Sequence, residues 1–388
     1  MYGALLRGES AVRHLALSSD AGSIETVGAA VTGEPWVGLP RAQLATSDRL
    51  SLYAIVAANG AIRDSGLDLA AENRNRVGVS VGTSLGGAIS QEAAYADIFV
   101  KGSKRLSPFT LVKVMYNGPS AQIGLQYGLG GPCLTYTTTC SSSAVSIGEA
   151  MRQIRHGYAD VMIAGGSEAL FAYVSIKAWS ALQVLAPERL GNPSATCRPF
   201  SLDRNGTVLG DGAAFVVLEE YERAVARGAH IHAELAGYGV CNDSSHMTQP
   251  SVAGQARAMR LALEDANLTT AGIGYINAHG TGTQLNDSAE TAALKEVFGK
   301  TAYSVAISST KSMHGHLVGT AGALELVISI LAIKNQCVPP TAHLDQPDPE
   351  CDLDYVPHVG RNTRVRAAMS NSFAVGGTAG VLVVREAT

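Results

Sequence analysis

Charged residues make up only 16% and aromatic residues only 6% of this 388-residue chain, and its formal net charge is −4. Since no long basic block is present, nucleic acid is a poor partner and we expect none. No uninterrupted apolar run reaches about 18 residues, so no helix is expected to cross a membrane. The N-terminus lacks a basic stretch followed by an apolar one, which predicts a protein without a secretory leader, located in the cytoplasm.

The six cysteines show neither a CxxC pair nor any other metal-type spacing. In a chain of this length we therefore expect free thiols in a reducing compartment and no metal site. Five of them are expected to be buried thiols that pack as small apolar groups, namely Cys133, Cys197, Cys241, Cys337 and Cys351.

Hydrophobic residues reach 46%, enough for a large core, and the 42 glycines cluster beside apolar runs. Strand-like runs alternate with helix-period segments almost throughout, which predicts an α/β fold. The predicted helices cover residues 51–65, 144–156, 255–266, 288–298 and 322–334. The predicted strands cover residues 76–81, 161–164, 213–219, 231–238, 273–277, 305–308 and 380–384.

The two halves of the chain repeat three patterns in the same order. "VGVSVGTSLGG" is echoed by "IGYINAHGTGT", "YTTTCSSSAVSIGEA" by "ISSTKSMHGHLVGTAGALE", and "GDGAAFVVLEE" by "GGTAGVLVVRE". Any α/β protein repeats glycine before a strand, but three pairs in register favour a duplicated unit. The join lies near residues 221–229, which predicts an N-terminal half at 1–225 and a C-terminal half at 226–388.

One element of the second half has no counterpart in the first. The second half opens on "HIHAELAGYGVCN", a strand and turn before its first helix, whereas the chain starts on the helix-like "MYGALLRGESAVRHL". If the missing strand is central to a sheet, its loss is expected to cost substantial stability.

Cys140 stands where a β-branched run ends and a helix starts, in "YTTTCSSSAVSIGEA". A cysteine at a helix N-terminus feels the positive end of the helix dipole, which stabilises a thiolate. This placement favours a nucleophile over a structural thiol.

Two histidines are candidate partners for Cys140. His279 lies in "NAHGTGT" directly after a strand, and His316 lies at a helix entry, five residues after Lys311. In a duplicated fold the Cys140 elbow and the elbow with Lys311 and His316 face each other. His314 is expected to be accessory or exposed.

Taken together, "TTTCSSSAVSIGEA", "NAHGTGT", "STKSMHGHLVGTAGALE" and "NSFAVGGTAG" resemble β-ketoacyl-acyl-carrier-protein synthases of the KAS I/II type, the elongating condensing enzymes. The resemblance runs from about Leu44 to the C-terminus. It implies the thiolase fold, a duplicated five-layered αβαβα architecture, usually dimeric. It also implies that acyl carrier protein is the partner and delivers phosphopantetheine, with no bound cofactor.

The resemblance also implies a role for each matching residue. Cys140 takes the acyl group as a thioester, and His279 and His316 stabilise the enolate formed when malonyl-thioester loses CO2. Lys311 is expected to maintain the charge and the hydrogen-bond geometry around these groups. The backbone N–H groups of Cys140 and Val375 are expected to form the oxyanion hole. The carboxyl groups expected to support the site are those of Glu325, Asp287 and Glu290. Thr281 and Thr283 are expected to bind phosphopantetheine.

The match departs from the family in its glycine loop. The family usually has Gly-Phe-Gly-Gly-Thr-Asn, with the phenylalanine gating the acyl tunnel, where this chain has Ala374, Val375 and, at the end, Ala379. Valine is a smaller gating residue than phenylalanine, which suggests a bulkier or stiffer acyl substrate, as in secondary-metabolite or polyene synthesis.

The basic surface that steers an acidic carrier is thin in this chain. The family's charges at this surface are matched by Lys104, Arg105 and Arg189, whereas "LATSDRLSLYA" contains only Arg49.

Three other assignments compete with the elongating synthase. A chain-length-factor-like partner subunit of a type II heterodimer typically lacks the nucleophile, which is present here. A thiolase needs a second cysteine in the C-terminal glycine loop, and a KAS III-type enzyme pairs cysteine with one histidine and an asparagine.

Overall fold

The computed structural model describes residues 1–387 and contains two large sheets, each with parallel and antiparallel strands. The strands are β1 (Arg13–Ser19), β2 (Gly22–Ala29), β3 (Val77–Gly82), β4 (Cys133–Tyr136), β5 (Val161–Glu168), β6 (Leu209–Gly210), β7 (Gly212–Glu219), β8 (Glu234–Asn242), β9 (Tyr275–Asn277), β10 (Ala306–Ser308), β11 (Cys337–Val338), β12 (Arg361–Asn362), β13 (Ala367–Phe373) and β14 (Thr378–Arg385).

Thirteen α-helices accompany these strands in the described residues. They are α1 (Tyr2–Leu6), α2 (Arg41–Thr46), α3 (Arg49–Asp64), α4 (Ala88–Phe99), α5 (Thr110–Val114), α6 (Gly118–Tyr127), α7 (Ser142–Arg155), α8 (Tyr173–Ala181), α9 (Tyr221–Ala226), α10 (Val252–Asp265), α11 (Gln284–Phe298), α12 (Lys311–His314) and α13 (Ala321–Asn335).

The elements stack in five layers. The first sheet has the order β4-β3-β5-β7 and the second has the order β10-β9-β13-β14-β8. Helices α7 and α13 contact both sheets and each other, so they form the middle layer, while α3 and α6 cover the first sheet and α10 and α11 the second. This is the αβαβα arrangement that the family resemblance implied.

The duplication is visible in the sheet order. The three echoed sequence pairs fall on β3 and β9, on β4 and β10, and on β7 and β14, and each pair holds the same place in its sheet. The second sheet has one more strand, β8, which pairs with β14 at the edge. The strand without a counterpart is therefore an edge strand and not a central one. The join predicted near 221–229 falls on α9 and the turn after it, and the division at 225/226 stays a prediction.

The middle layer also contains the one helical stretch of the described residues that is long and apolar enough to cross a membrane, Val318–Asn335. Two thirds of it (67%) is buried, because α13 packs against both sheets and α7. Its apolar composition is that of a core helix.

All the predicted helices and strands are present, with shifted ends. The helix predicted at 288–298 starts at Gln284, and the strand predicted at 231–238 is Glu234–Asn242. The helix-like N-terminus is helical only over Tyr2–Leu6, and the hairpin of β1 and β2 follows it.

Candidate active site

Cys140 lies in a single 3₁₀ turn, Thr139–Ser141, between β4 and α7. Thr139 has a φ of 52°, a left-handed conformation uncommon for a residue with a Cβ, and Ser142 Oγ accepts from the Thr138 N–H at 2.9 Å. At Gly82 a Cβ would lie 2.3 Å from the Ser143 nitrogen. Glycine at the end of β3 thus lets the first turn of α7 approach the sheet and fixes the elbow.

The chain folds both predicted histidines against this elbow. The nearest ligand atoms of Cys140, His279 and His316 all lie within 4.8 Å of one another, and all three residues are buried. The two imidazole rings meet edge to face, with centroids 5.3 Å apart and an interplanar angle of 84°. One thiol and two imidazoles are also zinc ligands, so the expectation of no metal stays a prediction.

The hydrogen bonds of the histidines define their tautomers. His316 Nδ1 accepts from the Val318 N–H at 3.3 Å, which leaves the proton on Nε2, and Nε2 has no protein partner. Lys311 Nζ lies 3.4 Å from His279 Nδ1, so the proton of that ring also belongs on Nε2. Burial, and then the charge of Lys311, lower the pKa of both histidines well below the usual value. Both rings are neutral donors at physiological pH.

The thiol differs from the expectation of a thiolate. Burial raises the pKa of Cys140 to about 11, against the opposing effects of Lys311 and of a backbone N–H bond from Val375. Desolvation is the largest of these effects, so the resting group is a protonated thiol.

Two backbone N–H groups point at the sulfur. The Sγ of Cys140 accepts from the N–H of Val375 and from its own N–H, the two donors expected to form the oxyanion hole. Thr139 Oγ1 donates to the Val375 carbonyl oxygen at 3.0 Å and thereby fixes the glycine loop to the elbow.

Lys311 and Glu325 form an ion pair that is completely buried. Lys311 Nζ lies 2.5 Å from Glu325 Oε1, and Glu325 Oε2 has no partner. Burial raises the pKa of Glu325 to about 7, although Lys311 opposes this shift. The pair holds a cation beside His279.

Asp287 and Glu290 lie in α11 and bind the loop that contains His279. Glu290 accepts from the backbone N–H groups of His279 and Gly280, both at 2.8 Å. Asp287 accepts from the N–H groups of Phe200 at 2.9 Å and Gly282 at 3.3 Å. In these contacts both carboxyl groups bond backbone, which agrees with the supporting role expected for them.

Thr281 and Thr283 lie in the wall of a cavity of about 300 Å³ that has Cys140, His279 and His316 in its lining. The two hydroxyl groups are 2.9 Å apart. The opposite wall includes Val375 of the glycine loop. A thioester that enters past the threonines would thus reach the sulfur and both Nε2–H groups.

Sequence reasoning missed three residues that shape the site. Glu168 is fully buried and accepts from the N–H groups of Ser84 at 2.7 Å and Gly319 at 3.1 Å, which ties the loop after β3 to the turn before α13. Asn371 Nδ2 donates to Glu290, and the Phe373 ring packs 5.8 Å from that of His279. A glutamate at the end of an apolar strand, in "AGGSE", was the one signal available for Glu168.

The residues of the predicted carrier patch are solvent-exposed. Lys104, Arg105 and Arg189 are all exposed, whereas Arg49 is half-buried and its Nε donates to Tyr53 Oη at 2.6 Å. His314 is half-buried, with its Nε2 2.9 Å from Thr310 Oγ1, and its accessory role stays a prediction.

The cysteine expectations hold in part. All six thiols are free, but Cys133 is exposed and Cys241 and Cys337 are only partly buried. The expectation that they are buried is wrong for these three, because Cys133 and Cys337 lie on strands with an open side and Cys241 lies near the end of an edge strand.

Comparisons with known proteins agree with this geometry. Two family models match, the "Beta-ketoacyl synthase, N-terminal domain" over residues 17–224 and the "Beta-ketoacyl synthase, C-terminal domain" over residues 232–345. Nodulation protein E of Rhizobium meliloti (strain 1021) is 47% identical over 98% of this chain and 92% of its own length. The 3-oxoacyl-[acyl-carrier-protein] synthase 2 of Coxiella burnetii is 41% identical over 99% of this chain and 93% of its own length.

Solved structures give the same result. A type II polyketide synthase ketosynthase, bound to the hexaketide and in complex with its acyl-carrier protein, matches with a TM-score of 0.89 and 32% identity. The ishigamide ketosynthase/chain length factor matches with a TM-score of 0.91 and 32% identity. Both matches cover 100% of this chain and 94% of the other.

Proposed function

The chain belongs to the β-ketoacyl synthase family and has its thiolase fold, and from this premise we propose how its cavity performs the reaction. It is an acyltransferase, a 3-oxoacyl-[acyl-carrier-protein] synthase, that elongates an acyl chain by decarboxylative Claisen condensation with malonyl-carrier. The catalytic group is the set of Cys140, His279 and His316, with Lys311 beside it.

In the first half-reaction, Cys140 Sγ attacks the thioester carbon of an acyl carrier. The Cys140 S–H and the carrier's C–S bond break, the acyl–Sγ bond forms, and the proton leaves with the carrier thiol. Negative charge develops on the carbonyl oxygen of the thioester during this attack. The N–H groups of Cys140 and Val375, which already point at the sulfur, stabilise that charge. They oppose the burial that keeps the thiol protonated.

In the second half-reaction, malonyl-carrier loses CO2 and its carbonyl oxygen becomes an enolate. The two Nε2–H groups of His279 and His316 donate to that oxygen, and burial, together with the cation of Lys311, keeps both rings neutral donors. The enolate carbon attacks the acyl carbonyl carbon, a C–C bond forms and the thioester bond between that carbon and Cys140 Sγ breaks. The products are CO2, a β-ketoacyl chain two carbons longer that stays on the carrier, and the Cys140 thiolate, which takes a proton from solvent.

The observation that carries this assignment is that a buried thiol and two imidazole donors lie within 4.8 Å of one another in the lining of one cavity. The test incubates the enzyme with acyl and malonyl carriers and follows the β-ketoacyl product by mass spectrometry. We expect His279→Ala and His316→Ala to lose condensation by about 10²–10³-fold while Cys140 is still acylated. Equal loss of both half-reactions would contradict the assignment of the histidines to the enolate.

We propose acyl carrier protein as the partner that delivers the phosphopantetheine arm, with Thr281 and Thr283 binding the arm and Lys104, Arg105 and Arg189 steering the carrier. No other cofactor is needed for the chemistry. We also propose that the enzyme acts in the cytoplasm as a dimer, either with itself or with a related subunit. The partner-subunit alternative is less well supported, because the nucleophile and both donors are in place.

The acyl substrate is proposed from the glycine loop. Val375 lines the cavity where the family's gating phenylalanine is expected, and its smaller side chain suits a bulkier or stiffer chain. A panel of acyl carriers tests this: faster loading of unsaturated or branched chains than of saturated ones is expected. Normal turnover with saturated medium and long chains alone would contradict it.

A further inference from the structure

Three buried side chains in the wall of the cavity have polar atoms without a protein partner in the described part of the chain: His316, Thr207 and Gln255. His316 is accounted for by the reaction. Gln255 is 3% exposed, and neither its Nε2 nor its Oε1 has a partner. A buried carboxamide without hydrogen bonds is costly, so a partner for it is expected among the molecules that enter the cavity.

Gln255 lies in the first turn of α10, one turn before Met259 on the buried face of that helix. This face packs on the strands that contain Phe373 and Ala379, which are paired with each other across β13 and β14. Phe373 in turn packs against His279. Ala379 has no polar group, where the family's loop usually ends in an asparagine. The side-chain amide on this side of the cavity is therefore that of Gln255 in α10.

The chemistry of the free atoms narrows the ligand. Nε2 donates and Oε1 accepts, so an occupant that satisfies both must offer an acceptor to the first and a donor to the second. A chain with two secondary amides does so, because the C=O of one amide can accept from Nε2 while the N–H of the other donates to Oε1. A malonyl carboxylate only accepts and leaves Oε1 without a donor, and an acyl hydrocarbon chain offers neither.

We propose that Gln255 is a positioning residue that binds the amides of the pantetheine arm during both half-reactions. This rests on the proposed function, because the arm is the amide-bearing part of the substrate that must lie in the cavity whenever a thioester reaches Cys140. The arm has two amides, and the hydroxyl groups of Thr281 and Thr283 are available for the amide N–H and C=O groups that Gln255 does not bind.

The test uses carrier-free pantetheine thioesters, so that the protein surface of the carrier plays no part. Gln255→Met keeps the size of the side chain and removes both hydrogen bonds. We expect it to raise KM by about tenfold for acyl-pantetheine in Cys140 acylation and for malonyl-pantetheine in condensation, with kcat within about twofold. Ser370→Ala is the matched control, because it removes another buried unpartnered polar atom that lies outside the cavity lining.

A substrate analogue makes the result independent of how well the variant folds. A pantetheine thioester with one amide replaced by methylene groups should lose about tenfold on the wild type and nothing further on Gln255→Met. Unchanged KM values in both half-reactions, or an increase confined to malonyl-pantetheine, would overturn the proposal. If the wild type turns over in the same assays, such a result contradicts the role of Gln255 alone. If the wild type does not turn over, the proposed reaction itself has failed.

Discussion

At the scale of single residues, the site keeps its reactive groups neutral until substrate arrives. Burial raises the pKa of the Cys140 thiol and lowers that of both histidines, so no thiolate–imidazolium pair forms at rest. In the proposed reaction the two histidines therefore donate hydrogen bonds to an enolate rather than act as acids. Burial is the largest influence on the thiol, and the helix start that the sequence shows does not reveal it.

The alkylation rate of Cys140 tests this balance. Because the pKa of the thiol is raised to about 11, the thiolate fraction at neutral pH is small and increases with pH. We expect the rate with iodoacetamide, followed by mass spectrometry of the Cys140 peptide, to rise about tenfold per pH unit from pH 7 to pH 9. The unfolded protein is the control and should level off near pH 8.5. A plateau below pH 8 in the folded protein would show that the thiolate is stabilised at rest.

The buried Lys311–Glu325 pair is a second test at this scale. Lys311→Ala leaves Glu325 buried without a cation, and we expect it to lower the free energy of unfolding by about 3–5 kcal/mol. Replacing both members by apolar residues, as in Lys311→Met with Glu325→Leu, should recover much of this loss, as measured by urea unfolding. Both variants should lose condensation. A double variant less stable than Lys311→Ala would show that the ion pair stabilises the fold by more than the neutralisation of one buried charge by the other.

At the scale of elements, the site exists because two helix entries meet. The first turn of α13 and the first turn of α7 approach each other where Gly322 lies against Ala144, since a Cβ on Gly322 would be 2.8 Å from that of Ala144. Glu168, at the end of β5, accepts backbone N–H groups from the loop after β3 and from Gly319. One buried carboxylate thus joins three segments around Cys140.

Removing that acceptor is expected to loosen the segments. Glu168→Gln turns an N–H₂ group toward backbone N–H donors, so we expect the free energy of unfolding to fall by about 2 kcal/mol and condensation to slow. The exposed Glu34→Gln is the control and should leave the urea midpoint unchanged. An unchanged midpoint for Glu168→Gln would mean that backbone hydrogen bonds alone hold these segments.

The sequence predicted the elements whose glycine-then-strand pattern is repeated in the two halves. It did not predict β13, because Ser370, Asn371 and Ser372 interrupt the apolar pattern of a strand that is buried on both faces. Nor could it find the partners of Glu168 or the free carboxamide of Gln255, since both depend on which loops and helices meet in space. Cys140 and His279 could be proposed from the sequence because each follows a strand end, and Lys311 and His316 because they lie near a helix entry; their roles stay predictions.

At the scale of the whole molecule, the β4 edge of the first sheet has no further strand paired to it within the described residues. Strand β4 is paired only with β3, and its Leu134 is exposed. The neighbouring helices α5 and α6 add Leu111 at 69% and Leu125 at 78% exposure. An open strand edge beside exposed apolar side chains is typical of a subunit interface.

Light scattering of the purified protein tests this surface. We expect the mass of a dimer, and we expect Leu134→Lys combined with Leu125→Glu to shift it toward a monomer. Leu190→Glu is the matched control, since Leu190 is 92% exposed on another loop and should leave the mass unchanged. A wild-type protein that is monomeric alone but dimeric with a related subunit would favour the heterodimer. A monomer under both conditions would contradict the interface.

The most direct test of the central claim is the intact mass of the protein after incubation with a panel of acyl carriers, with wild type beside Cys140→Ala. The account predicts that wild type gains the mass of one acyl group, that Cys140→Ala gains none, and that malonyl-carrier then removes the adduct as a chain two carbons longer. An adduct on Cys140→Ala, or no adduct on wild type with any carrier of the panel, would contradict the assignment of Cys140 as the nucleophile.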